Sequence, residues 1–140
     1  MNVLVDTSVW SLVFRRRREH LSAADARLRL DVIELIKEGR VRIIGPVRQE
    51  LLSGIRNERQ YTNLRERLRA FPDEPLDTPD YEQATRVANA CSATGISGSS
   101  IDFLICAAAL ERKWQIFSSD IDFRNYARAV KLPLYSPAAR

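Results

Sequence analysis

An α/β domain with a mostly parallel sheet covered by helices is the fold this sequence predicts, on three observations. Short apolar, β-branched runs alternate with longer amphipathic stretches along the whole chain. The short runs are nearly all apolar, as strands covered on both faces are, rather than alternating with polar residues. At 140 residues the chain can build one sizeable core but not two, so residues 1–140 read as a single domain.

The elements follow in order. Residues 2–5 (NVLV) read as a buried strand, and Thr7-Ser8 begins a turn or short helix carrying Val9, Trp10, Leu12, Val13 and Phe14. Arg15 to Arg18 is a run of like charge, read as a solvated loop. Ser22 suits the N-cap of a helix to about Glu38, with Ala24, Leu28, Val32, Leu35 and Ile36 on one face and Gly39 just past its end. VRII at 41–44 is a second strand, and Gly45-Pro46 opens a helix with proline in its first turn and Glu50 about one turn in. From Ser53 to Ala70 the spacing of Tyr61, Leu64 and Leu68 predicts an amphipathic helix with an arginine-rich outer face. Pro72, Pro75 and Pro79 mark a connection with a short strand near Pro75 to Asp77, and Thr78-Pro79 starts a helix to near Gly95. GISGSS is a loop. Ser99 or Ser100 caps the next helix, which is apolar nearly all round and belongs deep against the sheet. QIF at 115–117 is a third strand, residues 121–129 a short helix, and KLPLY an edge strand, since Pro133 removes a donor.

Composition narrows the function classes. A hydrophobic fraction of 45% with 29% charged residues is globular, and no apolar run is long enough to span a membrane. The N-terminus has no basic region or signal-like core, because Asp6 interrupts the only candidate, so a soluble, cytoplasmic protein is expected. Cys91 and Cys106 lie among small apolar residues and read as buried free thiols. With His20 the only histidine, set in a polar stretch after an arginine run, a Ser-His-Asp triad or a histidine-rich zinc site has almost nothing to build on. The net charge is +4, and 19 of the 22 basic residues are arginine, whose planar fork suits phosphate. A GC-rich coding bias would give the same composition, so charge makes nucleic acid a plausible partner and no more.

The informative residues are acids. Asp6 ends the first strand, Glu50 lies one turn beyond the second, Asp102 opens the most apolar helix, and Asp120 closes the QIF segment, with Asp122 two residues on. Taken singly, each has a structural explanation. Asp6 is a helix cap, Glu50 and Asp102 are first-turn acids, and Asp120 and Asp122 are turn residues. Taken together they change the balance, because ligands of open parallel sheets bind beyond the carboxyl ends of the strands. Mutually repelling carboxylates gathered there call for a cation, and oxygen ligands favour Mg²⁺ or Mn²⁺. Metal-assisted phosphodiester hydrolysis is the leading expectation.

VLVDTSVW, PVRQELLSGI, GSSIDFLICAAAL and FSSDIDF, in that order and spacing, resemble the PIN-domain ribonucleases, and more closely the VapC toxins of bacterial toxin–antitoxin pairs. The resemblance covers nearly the whole chain. It implies a PIN-like three-layer α/β/α fold with a central, mostly parallel sheet. It also implies Mg²⁺- or Mn²⁺-dependent endoribonuclease activity on a structured RNA such as a transfer RNA (tRNA), a homodimer, and inhibition by a cognate VapB-type antitoxin. The family's four-acid site carries over to Asp6, Glu50, Asp102 and Asp120 as catalytic residues. Metal would fall to Asp6, Asp102 and Asp120, with Asp122 as a further ligand. Thr7, Ser8 and Ser118 match supporting polar positions, serine standing at 118 where the family more often has threonine. Bound antitoxins of the family bring a basic residue to the acids, which makes electrostatic sense for a site without its own cations.

Glu50 would ligate a second ion or orient the attacking water. Arg15, Arg16, Arg56 and Arg59 are candidates for the RNA backbone, weighed against an ordinary charged surface. Trp10, Val13, Phe14, Leu51 and Leu52 read first as core, with an apolar groove for an antitoxin helix as the second reading. Two rivals stand beside the nuclease. A haloacid dehalogenase-type phosphatase needs a second acid two residues after its nucleophile, and Ser8 occupies that place. A non-catalytic RNA-binding or adaptor module would be favoured by loss of an acid, and all four are present.

Overall fold

A computed structural model describes residues 1–137. The elements run β1 (Val3–Val5), α1 (Thr7–Phe14), a 3-10 turn (Arg18–His20), α2 (Ala23–Lys37), β2 (Val41–Ile44), α3 (Gly45–Leu52), α4 (Glu58–Leu68), β3 (Asp73–Glu74), α5 (Thr78–Ala93), α6 (Ser100–Arg112), β4 (Gln115–Phe117) and α7 (Asp122–Tyr126). The four strands form one parallel sheet in the order β3-β2-β1-β4. Val3, Leu4 and Val5 of the central β1 are all fully buried, which is why that run carries no alternation. Leu134 adds an isolated parallel bridge beside Ile116. There the Ile116 N–H donates to the Pro133 carbonyl and the Tyr135 N–H donates to the Ile116 carbonyl, so the donor that proline lacks is never called on.

The helices flanking the sheet pack as two groups. Helix α1 contacts α2 and α3, α3 contacts α4, and α5 pairs along its length with α6, which also packs on β4. The core joins both groups to the strands through Trp10, Leu35, Ile44, Leu51, Leu68, Ile105 and Phe117. Trp10 and Leu51 are completely buried and so belong to the core; Val13, Phe14 and Leu52 are only partly covered. Cys91 and Cys106 are buried free thiols on the facing helices α5 and α6.

Local chemistry sets the boundaries, including those the sequence misjudges. Ser22 caps α2 by accepting from the Asp25 N–H at 3.1 Å, and Gly39, at φ +70°, takes the left-handed turn that ends it. Ala24, expected on the covered face of α2, is exposed in the first turn. Helix α4 starts at Glu58 and not near Ser53, because Asn57 caps it by accepting from the Gln60 N–H at 2.9 Å. The third strand lies at Asp73–Glu74, ahead of Pro75, where both residues can pair with Ile43 and Ile44. Helix α5 is capped by Asp77, whose backbone N–H donates in return to the Asp80 carboxylate. Helix α7 stops at Tyr126, and residues 127–130 continue only as turns.

Candidate active site

The site forms where β1 and β4 end side by side. The Asp6 N–H donates to the Phe117 carbonyl at 3.0 Å, so Asp6 and Ser118 leave the sheet as neighbours. Asp6 is 5% exposed and caps α1. Its Oδ1 accepts from the Ser8 N–H (3.1 Å), the Ser8 hydroxyl (2.6 Å) and the Val9 N–H (3.4 Å); its Oδ2 accepts from the Ser118 hydroxyl (2.8 Å). The hydroxyls continue the network outward. Ser8 Oγ accepts from the Ser119 N–H, Ser118 Oγ accepts from the Asp120 N–H, and Asp120 Oδ1 accepts from the Asp122 N–H. Thr7, first residue of the same helix, donates through Oγ1 to Glu50 Oε1 at 2.5 Å and so ties α1 to α3.

Asp102 enters from the first turn of α6, where Ser99 caps the helix by accepting the Asp102 N–H at 3.1 Å. Its carboxylate is half-buried and accepts at Oδ2 from the Tyr126 hydroxyl at 2.6 Å. Tyr126 is the partner of Asp102 that the sequence does not announce. It lies 24 positions from Asp102, and a tyrosine on a short helix gives no local signal of an acid partner.

The acids feel one another. Burial pushes the Asp6 carboxyl up to about 6, against the hydrogen bonds from Ser8, Ser118 and Val9, and the charge of Asp102 adds to the rise. Burial also raises Asp102, against its bonds from Tyr126 and Ser99, and the charges of Asp120 and Glu50 push it the same way. Asp6, Glu50, Asp102 and Asp120 are therefore brought within electrostatic reach around Asp102. Asp122 is exposed at the edge, bound to the group through its backbone. Thr7, Ser8 and Ser118 each bond directly to an acid.

The donor set suits a hard divalent cation, being all carboxylate and hydroxyl oxygen, with a central acid whose charge burial and its neighbours disfavour. Among the described residues no three His, Cys, Asp or Glu side chains stand together as a ready coordination cage.

Arg15, Arg16, Arg56 and Arg59 are exposed, and none is a hydrogen-bond partner of the acids among the described residues. Arg16 pairs with Asp25 at 3.3 Å. Arg15 lines a cavity of about 330 Å³ with Phe14, Ile55, Gln60, Asn63 and Arg67, between the end of α1 and α4. No helix among the described residues is long and apolar enough to cross a membrane.

The PIN domain family model matches residues 3–129. Ribonuclease VapC11 of Mycobacterium tuberculosis and VapC ribonuclease Mb1587 of Mycobacterium bovis are each 29% identical to the chain over 134 residues, covering 93% of it and 95% of the relative. Among solved structures, FitAcB from Neisseria gonorrhoeae superposes with a TM-score of 0.74 at 20% identity, over 96% of this chain and 97% of that one. VapBC2 from Rickettsia felis, bound to a DNA fragment from its promoter, gives 0.75 at 16% identity, over 96% and 98%.

Proposed function

The chain belongs to the PIN-domain family, and from that premise we propose that it is a divalent-metal-dependent endoribonuclease, the toxin partner of a VapB-type antitoxin. The observation that carries the reading is electrostatic: a buried Asp6 raised to about 6 feels the charge of Asp102, and Asp102 in turn feels Asp120 and Glu50. Relatives named as ribonucleases, aligned over nearly their whole length, support RNA as the substrate. Structures of toxin–antitoxin complexes with the same fold support the antitoxin partner.

Asp6, Asp102 and Asp120 would hold Mg²⁺ or Mn²⁺, with Asp122 at the edge. Such an ion, when bound, acidifies water and offsets phosphate charge. Asp6 serves only as a carboxylate, so cation binding must displace its proton and should weaken as pH falls below about 6. Ser8 and Ser118 fix both of its oxygens and keep the α1 cap in place. Glu50, gripped at Oε1 by Thr7, keeps Oε2 to orient water or accept its proton. Arg15, Arg56 and Arg59 contact the RNA backbone from the surrounding surface, Arg16 joining them only by leaving Asp25. A structured RNA such as tRNA, a homodimer and a cytoplasmic location complete the reading.

The test is to incubate the antitoxin-free protein with total cellular RNA and sequence the new ends. A few discrete sites in a structured RNA are expected. Uncut RNA in the presence of folded, Mn²⁺-loaded protein would favour the non-catalytic adaptor instead.

A further inference from the structure

Tyr126 is used by nothing in the chemistry described so far, yet its hydroxyl makes a 2.6 Å bond to Asp102. The ring is clamped. Phe103 and Phe123 lie with centroids 5.4 and 5.3 Å away, and the residue is 1% exposed. From the loop before α6, Gly98 closes the clamp, since a Cβ built there would lie 2.6 Å from both Tyr126 Cε1 and its hydroxyl oxygen. Any side chain at 98 would displace the ring or the loop. The same loop supplies Ser99, which caps α6 by accepting from the Asp102 backbone N–H.

The geometry points to Tyr126 as a positioning residue for Asp102, with Gly98 as the fit that makes it one. A carboxylate in the first turn of a helix has free χ rotation unless something stops it. Here a rigid phenol on α7 fixes it, while the charges of Asp120 and Glu50 disfavour its ionised form. Tyr126 thus keeps the central acid aimed at a cation site that is otherwise self-repelling. Groups that orient metal ligands in this way carry about 10–100-fold in affinity or rate. The inference rests on the metal reading proposed above.

Titration of EDTA-treated, dialysed protein with Mn²⁺, followed by the paramagnetic resonance of free Mn²⁺, tests it. Tyr126→Phe keeps the ring and loses only the hydroxyl. It is expected to weaken Mn²⁺ binding about tenfold or more, to keep its cooperative melt, and to lower kcat with KM for RNA unchanged. Gly98→Ala should weaken Mn²⁺ binding in the Tyr126 protein and add little to Tyr126→Phe. Asp102→Asn is the control and should abolish binding. If it does while Tyr126→Phe binds as the wild type, the positioning role is overturned and the metal site stands. Wild-type protein that binds no Mn²⁺ would overturn both.

Discussion

Asp6 is a carboxyl kept 5% exposed at the end of a central strand, and its ionisation works against the fold. With the folded value raised to about 6 from 3.8, the native state holds the proton more tightly than the unfolded chain does. Its contribution to stability is therefore full at low pH and is lost as pH rises from about 4 to about 6, a loss of up to about 3 kcal/mol. Urea unfolding in EDTA should show the wild type losing stability over that window relative to Asp6→Asn, with Asn more stable at pH 7.5. Equal pH profiles would show that Asp6 is not held near neutrality. Ser118 is the second test. Ser118→Thr retains a hydroxyl for Asp6 Oδ2 and the Asp120 N–H, whereas Ser118→Ala removes both bonds at once. Alanine is expected to lower Mn²⁺ affinity about tenfold and threonine to preserve it, checked by the same titration at pH 7.5.

Between elements, Arg112 is the main polar fastener. From the last turn of α6 it forks onto Asp80 of α5 at 2.6 and 2.8 Å, reaches Glu74 of β3 at 2.9 Å, and donates to the Pro75 carbonyl. Asp80 is 1% exposed and its carboxyl is held below the usual range, chiefly by its hydrogen bonds from Arg112. Arg112→Met would strand that charge, and a loss of about 3–5 kcal/mol is expected in urea unfolding at pH 7. The loss should shrink in acid, where Asp80 can take a proton, whereas an unchanged difference at low pH would contradict the pairing. None of this was legible in the sequence, because ion pairs 32 and 38 residues apart leave no periodic mark. What was legible was local. Ser22, Ser99 and Pro46 marked where helices begin, and VRII and QIF marked strands to the residue. Asn57 and the placement of β3 were missed, since cap preference is weak inside a polar stretch and two residues are too short for a pattern.

At the scale of the whole molecule, a parallel sheet converts sequence distance into proximity. Asp6 and Ser118 sit 112 positions apart and share a hydrogen bond because β1 and β4 are neighbours that end together. Four acids each explicable alone come within electrostatic reach of one another only through that topology. Their spacing across apolar runs was readable and the resemblance supplied Thr7, Ser8 and Ser118 as their partners, while Tyr126 was not legible. The same architecture buries Cys91 and Cys106 between α5 and α6. Neither thiol should react with an aromatic disulfide reagent until the protein unfolds, and fast labelling of the native state would show this helix pair to be open. Under the proposed function the carboxylates cut RNA through a divalent cation. Cleavage of total RNA by the wild type, Asp6→Asn and Asp102→Asn, each in Mn²⁺, Mg²⁺ or EDTA, tests it most directly. The expected result is cutting by the wild type with metal and none in EDTA or by either variant; cutting that survives EDTA or both substitutions would contradict it.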